Sequence, residues 1–479
     1  MKEEVYQTII YELNEKTSNK DLNLLLLKMK DNASIFFICK NVYDENNIIS
    51  KSSLDYTEQV ISCGFNYVNT IILPQNLTDD NENDNVQYLL WFVKSHEKML
   101  FIKDNIREKH IWKDVEWGKR KKNYNPKGKD PGNVWLPTKD DGKGKITKHI
   151  ILKNIEIIER CVISTSQSGD SVYICSSLPL QKSKILEARK VIFNNVVFFH
   201  NKPQKKSISS PPSCDKKKSR VIFDSAENMS VIKDGEVDLM VTSPPYWDLK
   251  NYFKDGQIGQ ESYEQYLNRL KKVWSETYRV LNNKGSMWIN INTRTKNKKP
   301  ILIPQDIIKQ CRDIGFGLKD IIIWHKSSGI PTHKNNIVDR YEYFLWFVKN
   351  DKFSCNIDHL SSINDYKNAN LKGGLLWNIN RKAGSVGKDF IHPAIYPIKL
   401  IERIIELCSS EGQLVLDPFL GSGTSLIASE NTQRSFVGYE YNEEFESLIR
   451  HRLKNSKIDE DIAEYVNKKS SKNSLKIYR

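Results

Sequence analysis

An internal repeat restricts the fold of this 479-residue chain more than any single motif does. The segment YLLWFVK at 88–94 matches YFLWFVK at 343–349, and each follows a Gly-Phe pair and an apolar run. Farther along, an alignment without gaps pairs His149 with His392 and Arg160 with Arg403. The ordered matches extend over about 140 residues, and the two copies lie 243 to 255 residues apart, a period far too long for a solenoid. The sequence therefore predicts two domains of one fold.

Positive charge is concentrated in a few short stretches. The chain has 73 Lys and Arg residues against 59 Asp and Glu residues, a net charge of +14. Residues 119–129, 202–220 and 468–479 carry +6, +6 and +5, and loops and tails of this kind often neutralise phosphates. Residues 201–220 are also rich in Lys, Ser and Pro, which predicts a linker. The charge indicates a polyanionic partner; the alternative is that these lysines only keep the protein soluble.

Composition excludes several classes of protein. Hydrophobic residues make up 39% of the chain, but no apolar run approaches the roughly 18 residues that span a bilayer. The first residues, MKEEVY, do not form a secretory signal, so we expect a cytoplasmic protein without a membrane partner. The eight cysteines are scattered and show no C-x-x-C spacing. We therefore expect reduced cysteines and no bound metal.

A β-α-β unit near the C-terminus has the features of a cofactor site. Its strand, turn, helix and second strand are predicted at 413–416, 421–423, 424–430 and 435–438. Gly421 and Gly423 allow the backbone to approach a ligand closely, and Glu440 is placed to accept hydrogen bonds from ribose hydroxyls. Asp417, not a further glycine, precedes the turn, so the pattern does not favour a nicotinamide dinucleotide.

A second motif follows the apolar run Leu239 to Val241. The tetrapeptide Ser243-Pro244-Pro245-Tyr246 ends this strand, because two consecutive prolines can continue neither a helix nor a β-ladder. The Ser243 hydroxyl and the Pro244 carbonyl offer acceptors for the hydrogens of a nucleobase amino group. Tyr246 offers a ring on which a flipped base can stack. A rigid surface turn with aromatic neighbours is the structural alternative.

Together these motifs resemble those of bacterial S-adenosylmethionine-dependent DNA methyltransferases that modify exocyclic amines, in the order that places the catalytic motif first. The resemblance covers residues 238–453 and includes TSPPYW, GSMWININ, DIIIWHKSSGIP, RYEYFLWFVK, HPAIYPIKLIERII and LVLDPFLGSGTS. It implies that Ser243, Pro244, Pro245 and Tyr246 are catalytic. It also implies a cofactor site formed by Asp417, Gly421, Gly423, Thr424, Glu440, His392, Tyr396 and Pro397.

The resemblance implies a doubly wound, Rossmann-like α/β sheet of seven strands with one strand reversed, within a catalytic domain at 221–457. It further implies S-adenosylmethionine as cofactor, double-stranded DNA as substrate and a restriction-modification role with a cognate restriction endonuclease. Serine at position 243 favours the N4 amino group of cytosine; the N6 amino group of adenine is the alternative. A DNA-binding protein that has this fold but no activity is a second alternative.

The first half, residues 1–200, is expected to be a degenerate domain of the same fold. The alignment without gaps places Ile174, Leu178 and Leu180 opposite Asp417, Gly421 and Gly423, so the polar and glycine positions are lost. This half is then a built-in partner subunit that contacts the flanking duplex, and a monomer with an internal pseudo-dimer is plausible. Residues 350–389 are the candidate target-recognition insert, and 458–479 are a basic tail.

Four further residues carry weaker predictions. His325 and Lys326 follow an apolar run and could face a flipped base, with a structural or phosphate-contacting role as the alternative. Trp346 and Trp377 have counterparts in the first half, so we expect them in the core and not in the stacking site.

Overall fold

The computed structural model describes residues 4–75, 85–109, 125–141, 146–177, 183–195, 219–248, 255–297, 299–326, 336–356, 359, 363, 365–366, 371, 374–380 and 396–454.

In chain order the strands are β1 (Tyr6–Glu12), β2 (Met29–Cys39), β3 (Val42–Tyr43), β4 (Ile49–Lys51), β5 (Asn66–Pro74), β6 (Val86–Val93), β7 (Thr138–Asp140), β8 (Ile146–His149), β9 (Ser171–Ser176), β10 (Lys190–Asn195), β11 (Arg220–Ile222), β12 (Val237–Thr242), β13 (Leu281–Ile291), β14 (Arg294–Lys296), β15 (Lys299–Ile301), β16 (Gly317–His325), β17 (Tyr341–Val348), β18 (Leu376–Asn378), β19 (Leu414–Asp417) and β20 (Ser435–Tyr439). The α-helices are α1 (Asn19–Leu27), α2 (Ser53–Ser62), α3 (Asn154–Thr165), α4 (Lys184–Glu187), α5 (Tyr263–Val280), α6 (Ile303–Ile314), α7 (Ile398–Cys408), α8 (Thr424–Asn431) and α9 (Glu446–Lys454).

The strands form two large sheets that share six strands in the same order, and the second sheet adds β11 and β18 at its edges. The first has the order β10-β9-β1-β2-β6-β5, and the second has the order β11-β20-β19-β12-β13-β17-β16-β18. In the first sheet β6 runs antiparallel to both its neighbours, and in the second sheet β17 does the same. All other pairings within these two sheets are parallel. The α/β class and the doubly wound sheet are thereby confirmed.

The hydrogen-bond registers reproduce the alignment of the two halves. Thr8 of β1 lies opposite Ser34 and Val172, and Leu239 of β12 lies opposite Ser286 and Val415. Val172 therefore corresponds to Val415, the same offset that pairs His149 with His392 in sequence.

The second sheet has eight strands, whereas the resemblance implied seven. The additional strand is β18, a three-residue edge strand that pairs in parallel with β16. At the corresponding position, the described residues of the first half form a single parallel bridge, between Ile72 and Val134. Both halves therefore place a chain segment beside this edge strand, and in the second half that segment forms the strand β18.

Local sequence signals explain the helices that cover the sheets. Ser52 is the N-cap residue of α2 and forms a capping box with Asp55. The capping box satisfies backbone N–H groups that have no partner in the helix. Gly315 ends α6 with a φ of 116°, a left-handed conformation that glycine adopts without strain. Helix α7 buries one apolar face, which includes Leu400, Ile404 and Ile405.

The two halves pack against each other. One hydrophobic cluster contains buried residues of both sheets, from Tyr6 to Ile449. Helices α2 and α6, which correspond to each other in the repeat, lie in contact, and Arg312 of α6 donates to Asp55 of α2 at 3.0 Å. A second pair of contacts is reciprocal: Gly132 lies against Arg340, and Gly374 lies against Asn85. Because Asn85 and Arg340 immediately precede the matching strands β6 and β17, the contacts are related by an approximate two-fold axis.

The tryptophans predicted as core residues are buried. Trp288 stacks on Trp346 and on Trp377, with ring centroids 4.6 Å and 6.0 Å apart. The described part of the candidate insert 350–389 is also packed inside, since Phe353, Tyr366 and Trp377 are all buried. The rest of this insert lies outside the described residues, as do most of the basic stretches at 119–129 and 202–220 and all of the basic tail.

Candidate active site

The two motifs singled out in the sequence meet at one edge of the second sheet. Strands β12 and β19 are parallel neighbours, so their carboxyl ends lie side by side. Thr242, the last residue of β12, donates its hydroxyl hydrogen to Asp417 Oδ1 at 2.5 Å. Since Ser243 follows Thr242 and the glycine turn follows Asp417, the two motifs lie side by side at this edge of the sheet. Open α/β sheets bind ligands at such a position.

The tetrapeptide 243–246 is held by the segment that follows it. The Tyr266 hydroxyl of α5 donates to the Pro245 carbonyl at 2.8 Å, and the Trp247 indole N–H donates to the Glu261 carbonyl at 2.8 Å. Ser243 is half-buried and Pro244 is buried. Within the described part of the chain no donor is found for the Pro244 carbonyl. The motif is thus fixed while its predicted acceptors at Ser243 and Pro244 are available for an amino group.

Tyr246 lies beside an ion pair. Its hydroxyl is 3.4 Å from Glu342 Oε2, and the other carboxylate oxygen of Glu342 accepts a hydrogen bond from the Lys326 ammonium group. Lys326 is almost fully buried, with 1% of its side chain exposed. Its ammonium group is therefore engaged in a structural ion pair. His325 bonds instead to the hydroxyl of Tyr366 through Nδ1, at 2.8 Å.

Asp417 connects several elements around the cofactor motif. Its Oδ1 also accepts the backbone N–H of Phe419 at 3.0 Å, and its Oδ2 accepts the Ser425 hydroxyl. The Tyr396 hydroxyl lies 3.5 Å from Oδ2. Burial raises the pKa of the Asp417 carboxyl above its ordinary value, although the surrounding hydrogen bonds oppose this shift. Asp417 thus joins the ends of β12 and β19. Its oxygens have few lone pairs left to accept hydrogen bonds from a ligand.

The glycine turn has the backbone conformation that its sequence requires. Gly421 has a φ of 53° and Gly423 a φ of 81°, both in the left-handed region. Gly423 caps helix α8, which begins at Thr424, so the turn leads directly into a helix N-terminus. Arg452 of α9, which is buried, donates to the Ser422 carbonyl at 2.7 Å and to the Thr424 hydroxyl at 3.0 Å. The turn is therefore preformed.

Glu440 directly follows β20 and lies beside this turn. Its Oε2 accepts the Gly421 N–H at 2.7 Å, and its Oε1 accepts the Asn442 N–H at 2.8 Å. Burial, together with the negative charge of Asp417, raises the pKa of the Glu440 carboxyl to about 7, while these backbone hydrogen bonds lower it. Each oxygen keeps a further lone pair that can accept a hydroxyl group. The donor set therefore fits a ribose next to the glycine turn.

Of the three remaining predicted residues, Tyr396 and Pro397 are among the described residues. The Tyr396 hydroxyl lies 3.5 Å from Asp417 Oδ2. Pro397 is buried and directly precedes helix α7. His392 lies outside the described residues.

Different residues occupy the same positions in the first half. The strand registers place Ile174 where β19 has Asp417, and Asn195 where Glu440 follows β20. They also place Glu12 at the position of Ser243. The Glu12 carboxylate accepts hydrogen bonds from the Ser176 hydroxyl at 2.9 Å and from the Ser177 N–H at 2.7 Å. This edge of the first sheet is thus closed by its own side chains.

Sequence reasoning missed four residues that shape the site: Thr242, Tyr266, Glu342 and Arg452. Thr242 could have been found, because it lies between a predicted strand and the catalytic motif. The other three come from distant segments, and a single sequence gives no signal for their contacts.

The described residues show neither a metal centre nor a membrane-spanning helix. In that part of the chain, no group of three or more His, Cys, Asp or Glu side chains is arranged to hold a metal ion. Within the same residues, no helix has both the length and the apolar character needed to cross a membrane.

Comparisons with known proteins agree with this geometry. A family model described as DNA methylase matches residues 6–173 and 237–451. The type II methyltransferase M.Cfr9I of Citrobacter freundii is 31% identical over 300 residues, which cover 52% of this chain and 95% of that protein. M.SmaI of Serratia marcescens is 29% identical over 267 residues, which cover 49% of this chain and 89% of that protein.

Two solved structures show more distant likeness. A Thermus thermophilus protein, solved in complex with S-adenosyl-L-methionine, is 26% identical, with a TM-score of 0.37, and the match covers 50% of this chain and 94% of that one. The PvuII DNA methyltransferase, described as cytosine-N4-specific, is 22% identical, with a TM-score of 0.42, and the match covers 53% of this chain and 93% of that one.

Proposed function

Because this chain belongs to the DNA methylase family that modifies exocyclic amino groups of bases, we propose that it methylates the N4 amino group of cytosine in duplex DNA. The observation that carries the proposal is the hydrogen bond between Thr242 and Asp417, which joins the base-binding motif to the cofactor motif. The methyl donor is S-adenosylmethionine. N6-methylation of adenine is the alternative, since a serine hydroxyl can serve either amine.

The cofactor residues are assigned from their contacts. We propose that Gly421, Gly423 and Thr424 form the backbone cradle and that Glu440 accepts the ribose hydroxyls. We propose that Tyr396 and Pro397 line the methionine end of the site; the family resemblance implies the same role for His392, which lies outside the described residues. When bound, the cofactor supplies a methyl group whose carbon–sulfur bond breaks as the base nitrogen forms its new bond.

The protein's own contribution is positioning and charge placement. The amino group of a base is a poor nucleophile, because its lone pair is delocalised into the ring. Acceptance of its hydrogens by the Ser243 hydroxyl and the Pro244 carbonyl shifts electron density towards the nitrogen. The base must leave the duplex to reach these groups, and Tyr246 provides the stacking surface. The displaced proton passes to water once the new bond has formed.

A basic hairpin supports DNA as the substrate. Strands β14 and β15 form a hairpin that carries Arg294, Lys296 and Lys299 at the carboxyl end of β13. Lys296 pairs with Asp248 at 2.6 Å and lies 4.3 Å from the centre of the Trp247 ring, so the hairpin adjoins the catalytic motif. The corresponding hairpin of the first half, β3 and β4, carries Asp44 and Glu45 in its loop. Of the two hairpins, the one beside the catalytic motif is therefore the basic one, where phosphates would approach.

We further propose the domain boundaries given by the repeat. Residues 1–200 form the degenerate domain, 201–220 the linker, 221–457 the catalytic domain and 458–479 the tail, although Arg220 already pairs in β11. The shared hydrophobic cluster and the two-fold contacts support a first half that acts as a built-in partner subunit, and therefore a monomeric protein. The names of the relatives, type II methyltransferases, support a role in a type II restriction-modification system, for which we propose a cognate endonuclease.

A labelling experiment tests the reaction. The full-length protein is incubated with tritiated S-adenosylmethionine and DNA of mixed sequence, and the hydrolysed nucleosides are separated by chromatography. We expect label in N4-methylcytosine. Label in N6-methyladenine would support the alternative amine, and DNA without label would indicate the second alternative, a binding protein without activity. Tyr246→Ala serves as the inactive control, and Lys284→Gln, at an exposed position near the amino end of β13, serves as the active one.

A further inference from the structure

The ion pair between Lys326 and Glu342 stands out among the polar contacts near the catalytic motif. Lys326 directly follows β16, and Glu342 is the second residue of the neighbouring strand β17. The backbone N–H of Lys326 donates to the Arg340 carbonyl at 2.6 Å, and its ammonium group lies 4.5 Å from the centre of the Trp324 ring. With 1% of the Lys326 side chain and 19% of the Glu342 side chain exposed, the pair is mostly withdrawn from water.

Burial of such an ion pair in the folded protein costs desolvation free energy. Desolvation of two charges often exceeds their attraction, so a buried pair is weak evidence for a contribution to stability. The carboxylate of Glu342 bridges two groups: one oxygen binds Lys326, and the other lies 3.4 Å from the Tyr246 hydroxyl. The pair therefore connects the strand edge to the last residue of the catalytic tetrapeptide.

The first half has the same fold but lacks this ion pair. Strand pairing opposes Trp324 to Glu342 in the second sheet and Leu73 to Gln87 in the first, so Gln87 corresponds to Glu342. By the same register Gln75 corresponds to Lys326. The half without a catalytic tetrapeptide thus has two neutral amides where the other half has an ion pair. The fold itself does not require the charges.

We propose that the Lys326–Glu342 pair is a positioning device that holds the Tyr246 ring in the orientation needed to receive the target base. This inference rests on the proposed function. Lys326 fixes the Glu342 carboxylate, and the carboxylate fixes the tyrosine through its hydroxyl. Neither charged residue touches the reacting atoms; both act through Tyr246.

The first half also contacts Asp339, which lies three residues before Glu342. Asn133 of the first half donates to Asp339 Oδ1 at 2.9 Å, and Asn69 donates to it at 3.3 Å. Burial raises the pKa of the Asp339 carboxyl, and the neighbouring positive charge of Lys326 opposes this shift. The first half thus contacts the segment that leads into β17 three residues before Glu342.

The test replaces the pair with the residues of the first half. In the full-length double variant Lys326→Gln/Glu342→Gln we expect kcat to fall by about a hundredfold, the size of effect that a misplacement of about 1 Å can produce. The dissociation constant for S-adenosylmethionine should stay within about twofold, because the cofactor residues are untouched. DNA with 2-aminopurine at the target position should gain less fluorescence on binding than it does with the wild type.

The matched control is Lys319→Gln/Asp320→Asn. Lys319 and Asp320 form a similarly buried ion pair at the opposite end of β16, and we expect their replacement to leave kcat near the wild-type value. A folded Lys326→Gln/Glu342→Gln variant with wild-type kcat and wild-type 2-aminopurine signal would overturn the inference. Wild-type protein that does not label DNA would overturn the proposed function instead, so the two failures are distinguishable.

A second variant, Tyr246→Phe, tests the positioning role if the double variant does not fold. Tyr246→Phe keeps the ring and removes only the hydroxyl that meets Glu342. We expect its kcat to fall, and the loss should not add to that of Glu342→Gln, since both changes break one contact. Full wild-type kcat in Tyr246→Phe, or losses that add, would overturn the positioning role.

Discussion

The two halves of this chain share one sheet topology but differ at the edge where ligands bind. In the second half, Asp417 joins the cofactor turn to Thr242, which precedes the catalytic motif. In the first half, Ile174 is buried at the position of Asp417, and Glu12 closes the edge with Ser176 and Ser177. A sheet of this kind therefore folds and packs without its ligand-binding residues. What distinguishes the catalytic half is a small number of polar residues at strand ends.

The largest expected effect follows from removal of Asp417. In Asp417→Ala, the Thr242 and Ser425 hydroxyls lose their acceptor, and the glycine turn loses its link to the motif. We expect affinity for S-adenosylmethionine to fall by about ten- to a hundredfold, since a hydrogen bond to a charged group contributes roughly 1.5–3 kcal/mol. Isothermal titration calorimetry measures this, and wild-type protein should bind one cofactor per chain.

Ile174→Ala is the matched variant in the first half. It should lower the free energy of unfolding by about 2–5 kcal/mol, because it leaves a cavity in a core. The folded protein should retain wild-type affinity for the cofactor. Two cofactors per wild-type chain, or weaker binding in Ile174→Ala, would contradict the distinction between the halves.

The second prediction concerns the contact between the halves. A methyl group at position 374 would collide with the buried Asn85, whose Oδ1 accepts the Leu375 N–H at 2.8 Å. We expect Gly374→Ala to cost about 1–3 kcal/mol of unfolding free energy. Thermal or urea unfolding followed by circular dichroism measures it, and both halves should unfold in one transition because they share a core.

The double variant Asn85→Ala/Gly374→Ala tests whether this cost arises at the contact. Asn85→Ala alone should cost about 1 kcal/mol through the lost hydrogen bond. The double variant should be more stable than the sum of the single variants, since no side chain is left to collide. Strictly additive effects would show that the halves are not coupled at this point.

Local patterns in the sequence predicted much of the catalytic half. The strand, turn, helix and second strand around Gly421 and Gly423 lie within a residue or two of their predicted bounds. The strand before Ser243 is confirmed as well. These predictions succeeded because an apolar run, a glycine turn and a proline pair act over a few residues.

Contacts between distant segments could not be predicted in the same way. Arg452 reaches the glycine turn from α9, and Glu342 reaches Tyr246 from β17. An arginine in a helix and a glutamate in a strand have no pattern of their own that indicates such a partner. The eighth strand β18 was missed because a three-residue edge strand carries too little periodicity to be recognised.

The third prediction uses the pKa of Glu440, which burial raises to about 7. Only the ionised carboxylate offers all its lone pairs to ribose hydroxyls, so affinity for S-adenosylmethionine should fall as the pH falls through 7. From pH 8 to pH 6 the ionised fraction of Glu440 falls by about tenfold, so the dissociation constant for S-adenosylmethionine should rise by about tenfold. Calorimetric titrations across this range measure the effect. Glu440→Gln should bind more weakly and without this pH dependence; a variant that keeps the wild-type pH profile would exclude Glu440 as its cause.

The smallest expected effect distinguishes the two hairpins. Lys299 is exposed on the basic hairpin of the catalytic half, whereas the hairpin of the first half is acidic in its loop. If Lys299 neutralises one phosphate, Lys299→Gln should lower the slope of log affinity against log salt by about 0.9. Fluorescence anisotropy with duplex DNA between about 50 and 200 mM salt measures the slope. Lys284→Gln, at the other end of β13, removes the same charge and should leave the slope unchanged. Equal slopes for the wild type and Lys299→Gln would mean that DNA passes elsewhere on the molecule, and the charge difference between the hairpins would then have no part in binding.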